Sequence, residues 1–237
     1  MKWFVLASAI VAPLFIKGPP VVVAPAAPIS RAQDRVAANR RANVVEIDNR
    51  WIRTIRMKLA PQEMSGLHTH PDTVAVMLTD ARIRVSSEKG SIQNLSHAAG
   101  DVVFQPASAQ PHSEQNVSDR PLEMVLVELK PGSTGGSAPV TLDPVKLDPD
   151  NHPVVLENER VRAIRTILPS KVKSPMHEHP HYVVVYLTEL HTTMTMADGR
   201  TVDNPRKPGD VAWRDALKHE TEHMGPKTAV EIQIELK

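Results

Sequence analysis

The sequence predicts an all-β protein of two tandem small barrels or jelly rolls behind an N-terminal signal peptide. Proline, at 21 of 237 residues, disfavours long helices and favours a turn-rich chain. Apolar residues recur with period two or in short runs, as they do in buried and half-buried strands. The chain also repeats itself over most of its length, which indicates two similar halves. A helical bundle is therefore the first fold class to be excluded.

Composition limits both the chemistry and the partners. With 28 basic and 27 acidic residues, the chain has no charge excess to attract phosphate backbones, so we expect no nucleic-acid partner. There is no cysteine, which excludes disulfides, thiol nucleophiles and cysteine-ligated zinc. Any metal must consequently be held by histidine and oxygen ligands.

The N-terminus has the pattern of a secretory signal peptide at 1–26. A positive charge at Lys2 precedes a short apolar run that ends at Ile16, and small residues surround Ala26. This run is shorter than the ~20 residues that span a bilayer. We therefore expect cleavage after Ala26, no permanent membrane anchor and a secreted or periplasmic mature protein; an uncleaved hydrophobic N-terminus is the alternative. Residues 27–43 are expected to form a flexible lead-in.

An internal repeat organises the rest of the chain. Shifted by 109 positions, the sequence aligns with itself, and after a two-residue deletion the alignment resumes at an offset of 107. The aligned pairs include Val45/Val154, Arg56/Arg165, Leu59/Leu168, His68/His177, His70/His179, Gly90/Gly199 and Gly100/Gly209. A stretch at 131–152, rich in Gly, Ser and Pro at its start, separates the copies as a linker. We predict two domains, at 44–130 and 153–237.

Short strands are predicted within each copy. In the first copy, alternating or continuous apolar residues occur at 51–59, 74–78, 82–85, 102–104 and 122–129. Gly90 and Gly199 hold the same place in the two copies and predict hairpin turns, because glycine tolerates a positive φ. Five or more short strands in ~90 residues favour a small barrel or jelly roll.

Each copy carries a His-x-His pair and a later histidine that follows a Gly-Asp-Val strand. Successive strand residues point to opposite faces, so both imidazoles of a pair lie on the same face, as two ligands of one metal must. The predicted metal ligands, three in each copy, are His68, His70, His112, His177, His179 and His219. The alternative is that these are surface or core histidines that hold no metal.

These motifs resemble those of the cupin superfamily, and the duplicated arrangement resembles a bicupin. The matching residues of the first copy are His68, His70, Gly100, Pro106, His112 and Asn116. Those of the second copy are His177, His179, Gly209 and His219, with His223 where the family has Asn. The resemblance covers 44–130 and 153–237. It implies two tandem cupin-type jelly-roll β-barrels.

The resemblance also implies what the sites lack. The cupin glutamate falls at Val74 or Ala75 in the first copy and at Val183 or Val184 in the second, so the carboxylate ligand is expected to be missing from both. Three histidines suit a divalent transition metal, whether Fe, Mn, Zn, Ni or Cu, and leave positions open for a small molecule or oxygen. Because the second motif of the second copy has lost its Pro and Gly, the first half is expected to be the better-formed site.

Further residues have two interpretations each. Asp72 and His181 are equivalent in the two copies and could add a ligand or a hydrogen-bond partner to their metals. His223 could line the same pocket as His219 or be an ordinary loop histidine. Arg53 and Arg162 could hold a substrate carboxylate or pair with an acidic side chain. The histidines without a repeat partner, expected to be solvated, are His97, His152 and His191.

The predicted function is an exported metal-binding bicupin, in its enzymatic form a metal-dependent, dioxygenase-like oxidoreductase. Loss of the carboxylate would make each site more positive and favour a small anionic or chelating organic substrate. The alternative is a non-catalytic periplasmic cupin that binds a metal or small ligand, because cupins include both classes. A structural protein with vestigial sites is a third hypothesis. The expected partner is a small-molecule ligand or substrate, and the resemblance adds a homodimer as a family-level expectation.

Overall fold

The computed structural model describes residues 33–136 and 139–237. The predicted signal peptide at 1–26 lies outside the described residues. Within the described ranges, no helix has the length and apolar character needed to cross a membrane. Strands dominate these residues, and the helices are two single turns. The predicted all-β class is confirmed.

Residues 33–129, called the first half below, form two five-stranded sheets. One sheet has the order β1-β4-β9-β6-β7 and the other β2-β3-β10-β5-β8. The elements are β1 (Gln33–Asp34), α1 (Arg35–Ala38), β2 (Asn43–Asp48), β3 (Ile52–Leu59), β4 (His68–His70), β5 (Thr73–Met77), β6 (Ala81–Ser87), β7 (Ile92–His97), β8 (Val102–Gln105), β9 (Ser108–Asn116) and β10 (Leu122–Leu129).

Residues 154–236, called the second half, repeat this arrangement. Their sheets have the orders β11-β12-β19-β14-β17 and β13-β18-β15-β16, which match the first half once β1 is left out. The elements, including a helical turn before the half begins, are α2 (Pro144–Leu147), β11 (Val154–Glu157), β12 (Val161–Leu168), β13 (His177–His179), β14 (Tyr182–Tyr186), β15 (Leu190–Met196), β16 (Thr201–Arg206), β17 (Val211–Arg214), β18 (Leu217–His223) and β19 (Ala229–Leu236).

Successive side chains along a strand point alternately into two hydrophobic layers. On β10, Val125, Val127 and Leu129 join a core shared by both halves, whereas Met124 and Leu126 face the interior of the first half. This follows from the period-two geometry of a strand, which sends neighbouring side chains to opposite faces. One sheet of each half therefore packs against the other half as well as over its own interior.

Two reciprocal arginine contacts join the halves. Arg56 donates to the Gly209 carbonyl, and its repeat counterpart Arg165 donates to the Gly100 carbonyl. Both glycines have positive φ, and a Cβ on either would crowd the opposing guanidinium at 3.2–3.3 Å. The same four positions thus hold the halves together in a pseudo-symmetric way.

The predicted hairpin turns are confirmed, because Gly90 and Gly199 have φ of 86° and 83° between paired strands. The flexible lead-in predicted at 27–43 is wrong in its described part. Residues 33–34 pair with β4, and α1 follows directly, with Asp34 as its N-cap. Arg35 is fully buried and forms an ion pair with Glu114. This distant contact, which the local sequence does not show, orders the segment.

Candidate metal centres

The three predicted histidines of the second half lie together. His177 and His179 are two residues apart on β13 and therefore share a face, and His219 on β18 is directly opposite His177. The ring centroids are 4.8, 4.5 and 5.4 Å apart, and one nitrogen from each ring lies within 4.8 Å of the others. All three side chains are buried. This cluster has the spacing of ligands around a single ion.

Hydrogen bonds orient these rings. Nδ1 of His177 donates to the Pro175 carbonyl at 2.7 Å, and Nδ1 of His179 donates to the Glu235 carboxylate at 2.7 Å. Within the described residues, Nε2 of His179 and Nε2 of His219 are buried without a hydrogen-bond partner. Unpaired buried nitrogens are costly unless something binds them, and an acceptor on Nδ1 is the usual support of an Nε2 metal ligand. The donor set fits a transition metal.

Burial also sets the protonation state of two of these rings. Desolvation, with a smaller contribution from the neighbouring imidazoles, lowers the pKa of His177 to about 4 and that of His219 to about 2. Both imidazoles are therefore neutral near pH 7. Neutral imidazole is the form that binds a metal, so His177 and His219 need no deprotonation before an ion enters.

The first half brings its histidines together less tightly. His68 and His70 lie on β4, and His112 on β9 faces His68, with centroids 4.8 Å apart. The His68 and His70 centroids are 6.1 Å apart. The group with ligand atoms within 4.8 Å of one another consists of His68, His112 and Glu114. The expectation that the first half has the better-formed three-histidine site is therefore wrong.

Glu114 corrects a second expectation, that both halves lack a carboxylate. Its Oε2 lies 3.5 Å from Nε2 of His68, and its Oε1 lies 3.8 Å from Nε2 of His112. It stands two residues after His112 on β9, so the strand period places both side chains on one face. The His-x-Glu pattern at 112–114 is the sequence signal for it, whereas the cupin motif places its carboxylate after the His-x-His pair. The second half has Thr221 at this position.

A buried cation holds Glu114 in place. Arg35 binds both carboxylate oxygens, at 3.0 and 3.2 Å, and Ser65 donates to Oε2 at 2.6 Å. Burial alone would raise the pKa of Glu114, but the charge of Arg35, with help from His68 and Ser65, brings it well below its usual range. Glu114 is therefore ionised at neutral pH, and most of its charge is balanced by Arg35.

His70 differs from its counterpart His179 in how it is held. Nδ1 of His70 donates to the Pro71 carbonyl at 2.8 Å, not to a carboxylate. Glu128, the counterpart of Glu235, has a buried Oε1 that finds no partner among the described residues. The wider spacing of the first-half histidines thus occurs where, among the described residues, Glu128 accepts no hydrogen bond from an imidazole.

The further candidate ligands, Asp72, His181 and His223, contact other groups of the protein. Asp72 accepts from Arg160 at 2.7 Å, across the contact between the halves. The His181 ring centroid lies 5.6 Å from those of both Trp51 and Trp213. Both ring nitrogens of His223 face backbone carbonyls, at 3.0 and 2.7 Å, so this residue is not available as a ligand.

Arg53 and Arg162 are each paired with an acidic side chain. Arg53 contacts the Glu128 carboxylate, and Arg162 contacts that of Glu235, each at 2.6 Å. Of the two interpretations, pairing with an acid is therefore correct. In the second half the pair continues to the metal-site imidazole, because Glu235 also binds His179.

Two histidines expected to be solvated lie beside the centres. His152 is buried, its ring centroid is 5.9 Å from that of His177, and its Nδ1 donates to the Asp148 carbonyl at 2.9 Å. His97 lines a cavity in the first half. His152 belongs to the linker and has no counterpart in the repeat, so no sequence signal pointed to it. His191 fits the expectation, since its side chain is half exposed and pairs with Asp203.

Comparison with known proteins supports the fold. No protein-family model matches the chain, and no curated protein matches it. Among solved structures, AerE from Microcystis aeruginosa is similar at 14% identity and a TM-score of 0.57, over 83% of this chain and 97% of that one. Oxalate decarboxylase from Bacillus subtilis, studied for its Mn(II) centres, is similar at 16% identity and a TM-score of 0.53, over 81% and 74%. The chain thus resembles the cupins in fold, and its duplicated halves, each with a histidine group able to hold a metal, resemble those of a bicupin.

Proposed function

We propose that this protein is a metal-binding bicupin whose halves are jelly-roll barrels, each holding one divalent transition metal. The second-half ion is bound by His177, His179 and His219, and the first-half ion by His68 and His112 with Glu114 or His70. One observation carries this proposal. Buried imidazoles in each half direct Nδ1 to a fixed oxygen and gather their remaining nitrogens in one place.

We further propose that the first-half centre is enzymatic. A bound ion would supply Lewis-acid or redox chemistry, with iron, manganese, zinc, nickel and copper all compatible with imidazole ligands. His68 and His112 would hold the ion, while Arg35 would keep Glu114 ionised and fixed. A small chelating organic molecule is the proposed substrate, and a dioxygenase-type reaction is the proposed chemistry with a redox-active metal.

The alternative function, metal or ligand binding without turnover, is favoured for the second half. The space beside His177 and His219 has a volume of only about 30 Å³, room for a single water molecule. Buried Tyr182 and Tyr186 occupy the interior instead. A centre with no room for an organic molecule is suited to holding an ion.

Metal content tests the proposal directly. We expect the full chain, purified without an affinity tag and reloaded, to hold about two transition-metal ions. His177→Ala and His68→Ala should each remove one, whereas His191→Ala, at a half-exposed histidine outside both groups, should remove none. A wild-type chain without metal after reloading, or variants that keep their full metal content, would refute metal binding. Oxygen consumption by the iron-, copper- or manganese-loaded protein then tests catalysis.

We also propose that the protein is exported and processed after Ala26. The support is the charged start, the short apolar run and the small residues in the sequence. N-terminal sequencing of the mature protein from a periplasmic or secreted fraction tests this. A chain that stays in the cytoplasm with its first residues intact would contradict it.

A further inference from the structure

The duplication supplies an internal comparison of the two interiors. In the first half, three methionines stand in register on neighbouring strands, with Met57 and Met77 on either side of Met124. All three are buried and face the interior. The positions in register in the second half are Thr166, Tyr186 and Glu231. The same three places are thus apolar in one half and polar in the other.

The opposite wall of the interior, formed by the other sheet of each half, shows the same difference. Ile83 on β6 is paired with Leu95 on β7 in the first half. The corresponding pair in the second half is Thr192 and Asn204, joined by a side-chain hydrogen bond of 3.2 Å. Each of these changes replaces a hydrocarbon or thioether group with a hydrogen-bonding group. The two interiors therefore have different chemistry on both walls.

The two interiors also differ in open space. The first half has a cavity of about 430 Å³ that is partly open to solvent, and His70, His112 and Glu114 lie on its wall. The second half leaves about 30 Å³ beside its histidines. A volume of several hundred Å³ with apolar walls and a few polar groups at one place is typical of a small-molecule site. Among the described residues that surround the two centres, only the first-half cavity has that volume, and its walls are mostly apolar.

We infer that the first-half cavity binds an organic molecule with an aromatic or branched apolar body, which lies against the methionine wall with its oxygen-bearing head at His70, His112 and Glu114. This inference rests on the proposed metal in the first half. Methionine side chains are polarizable and adapt to aromatic rings, which they contact favourably through sulfur. The second-half centre is closed to such a molecule.

The charge of the walls excludes another class of ligand. No lysine or arginine is among the described residues that line the first-half cavity. Arg35 lies behind Glu114 with its guanidinium occupied by that carboxylate. The polar residues of the wall outside the group at His70, His112 and Glu114 are Gln93, His97 and Gln105. A dicarboxylate would therefore have one charged end without a lysine or arginine to pair with. The cavity favours a ligand that is chelating at one end only.

Two hydroxamates that chelate zinc in the same way test this inference. Benzohydroxamate has an aromatic body and acetohydroxamate a methyl group, so calorimetric titration of the zinc-loaded full chain isolates the contribution of the apolar walls. We expect benzohydroxamate to bind at least about tenfold more tightly. Loading with zinc makes the readout independent of turnover.

Wall variants locate the binding. Leu95→Asn introduces the second-half residue into the cavity, and Val85→Thr, which keeps the side-chain shape, is a milder version. We expect Leu95→Asn to weaken benzohydroxamate binding by about tenfold while leaving acetohydroxamate nearly unchanged. Ile92→Asn is the matched control, because Ile92 lies on the same strand as Leu95 but is 66% exposed on the outer face.

The outcomes separate the two proposals. If acetohydroxamate binds but benzohydroxamate binds no more tightly, the cavity inference is wrong and the metal centre stands. If His68→Ala removes no zinc and neither compound binds, the proposed function itself fails for this half. A preference for benzohydroxamate that survives in Leu95→Asn and Val85→Thr but disappears in His219→Ala would place the ligand in the second half and overturn the inference.

Discussion

At the scale of single residues, the first-half centre depends on an ion pair buried beside its histidines. Arg35 is fully buried and comes from the segment before β2, whereas Glu114 is on β9. Two charges taken out of water are tolerated only when each has a well-placed partner. The bidentate geometry at 3.0 and 3.2 Å, with the added bond from Ser65, meets that condition.

Removing one member of this pair should be strongly destabilising. We expect Arg35→Ala to lower the free energy of unfolding by about 3–5 kcal/mol, because Glu114 would be left as an uncompensated buried charge. Arg41→Ala is the control, since the side chain of Arg41 is 85% exposed in its pair with Glu63 and should matter by less than about 1 kcal/mol. Urea denaturation of the metal-free protein measures both. Similar losses for the two variants would contradict the assignment.

Glu231 should make stability depend on pH. Burial raises the pKa of Glu231 to about 7, and this outweighs the hydrogen bond from Gln233 and the positive charges of Arg214 and Arg206 that lower it. Tyr182 and Tyr186 also lie near this carboxyl, and both remain neutral because burial raises their pKa.

The sign of the effect follows from proton binding. Between about pH 4.5 and pH 7 the folded state holds a proton on Glu231 that the unfolded state has released, so this residue costs stability as pH rises through that window. Glu231→Gln should therefore stabilise the protein more at pH 8 than at pH 5, by about 1–3 kcal/mol. Denaturation at the two pH values measures the difference, and a gain independent of pH would be evidence against it.

At the scale of elements, one glycine lets the loop before β4, the first His-x-His strand, pack closely against α1. Gly66 has a φ of +84°, and a Cβ there would lie 2.8 Å from the Ala38 carbonyl oxygen. The Gly66 carbonyl also accepts from Nδ1 of His68 at 2.9 Å. The loop before β4 therefore packs directly against α1, and its backbone orients a predicted ligand.

Substitution at this glycine should affect both stability and metal binding. We expect Gly66→Ala to cost more than Gly90→Ala, which shares the positive φ but has open space around it. Gly90→Ala should cost about 1 kcal/mol and leave first-half metal content unchanged. Gly66→Ala should also weaken metal binding by the first half, because it displaces the carbonyl that orients His68. Equal effects in unfolding and metal titration would show that the contact with α1 is unimportant.

At the scale of the whole molecule, the two halves share one hydrophobic core. Val125, Val127 and Leu129 from β10 belong to the same cluster as Ile232 and Ile234 from β19. Separating the halves would expose this layer, together with the carbonyls that the reciprocal arginines bind. Neither half can bury its outer sheet face alone.

The shared core predicts cooperative unfolding. We expect the metal-free chain to unfold in one calorimetric transition, with calorimetric and van't Hoff enthalpies that agree. Arg165→Ala should lower the melting temperature without splitting the transition, because the apolar layer still couples the halves. Two resolved transitions in the wild-type chain would show that the halves are independent domains.

Much of the centre was predictable because its determinants are local. His68-x-His70 and His177-x-His179 share a face by strand period alone, and the later histidines were indicated by the repeated motif. Other features lay beyond local patterns. Arg35 lies in the predicted flexible lead-in, and no local pattern reveals its role because its partner Glu114 is 79 positions away.

By itself, the sequence determined the repeat, the strand character and the six candidate ligands, since period, spacing and duplication are properties of the chain. Only the tertiary structure decided which half has the closer histidine group and which has an open interior. Those outcomes depend on strand register, which sets Met124 between Met57 and Met77 in one half and Glu231 between Thr166 and Tyr186 in the other. The pairing register of the strands determines which side chains meet across a sheet, and neighbours along the chain do not reveal that register.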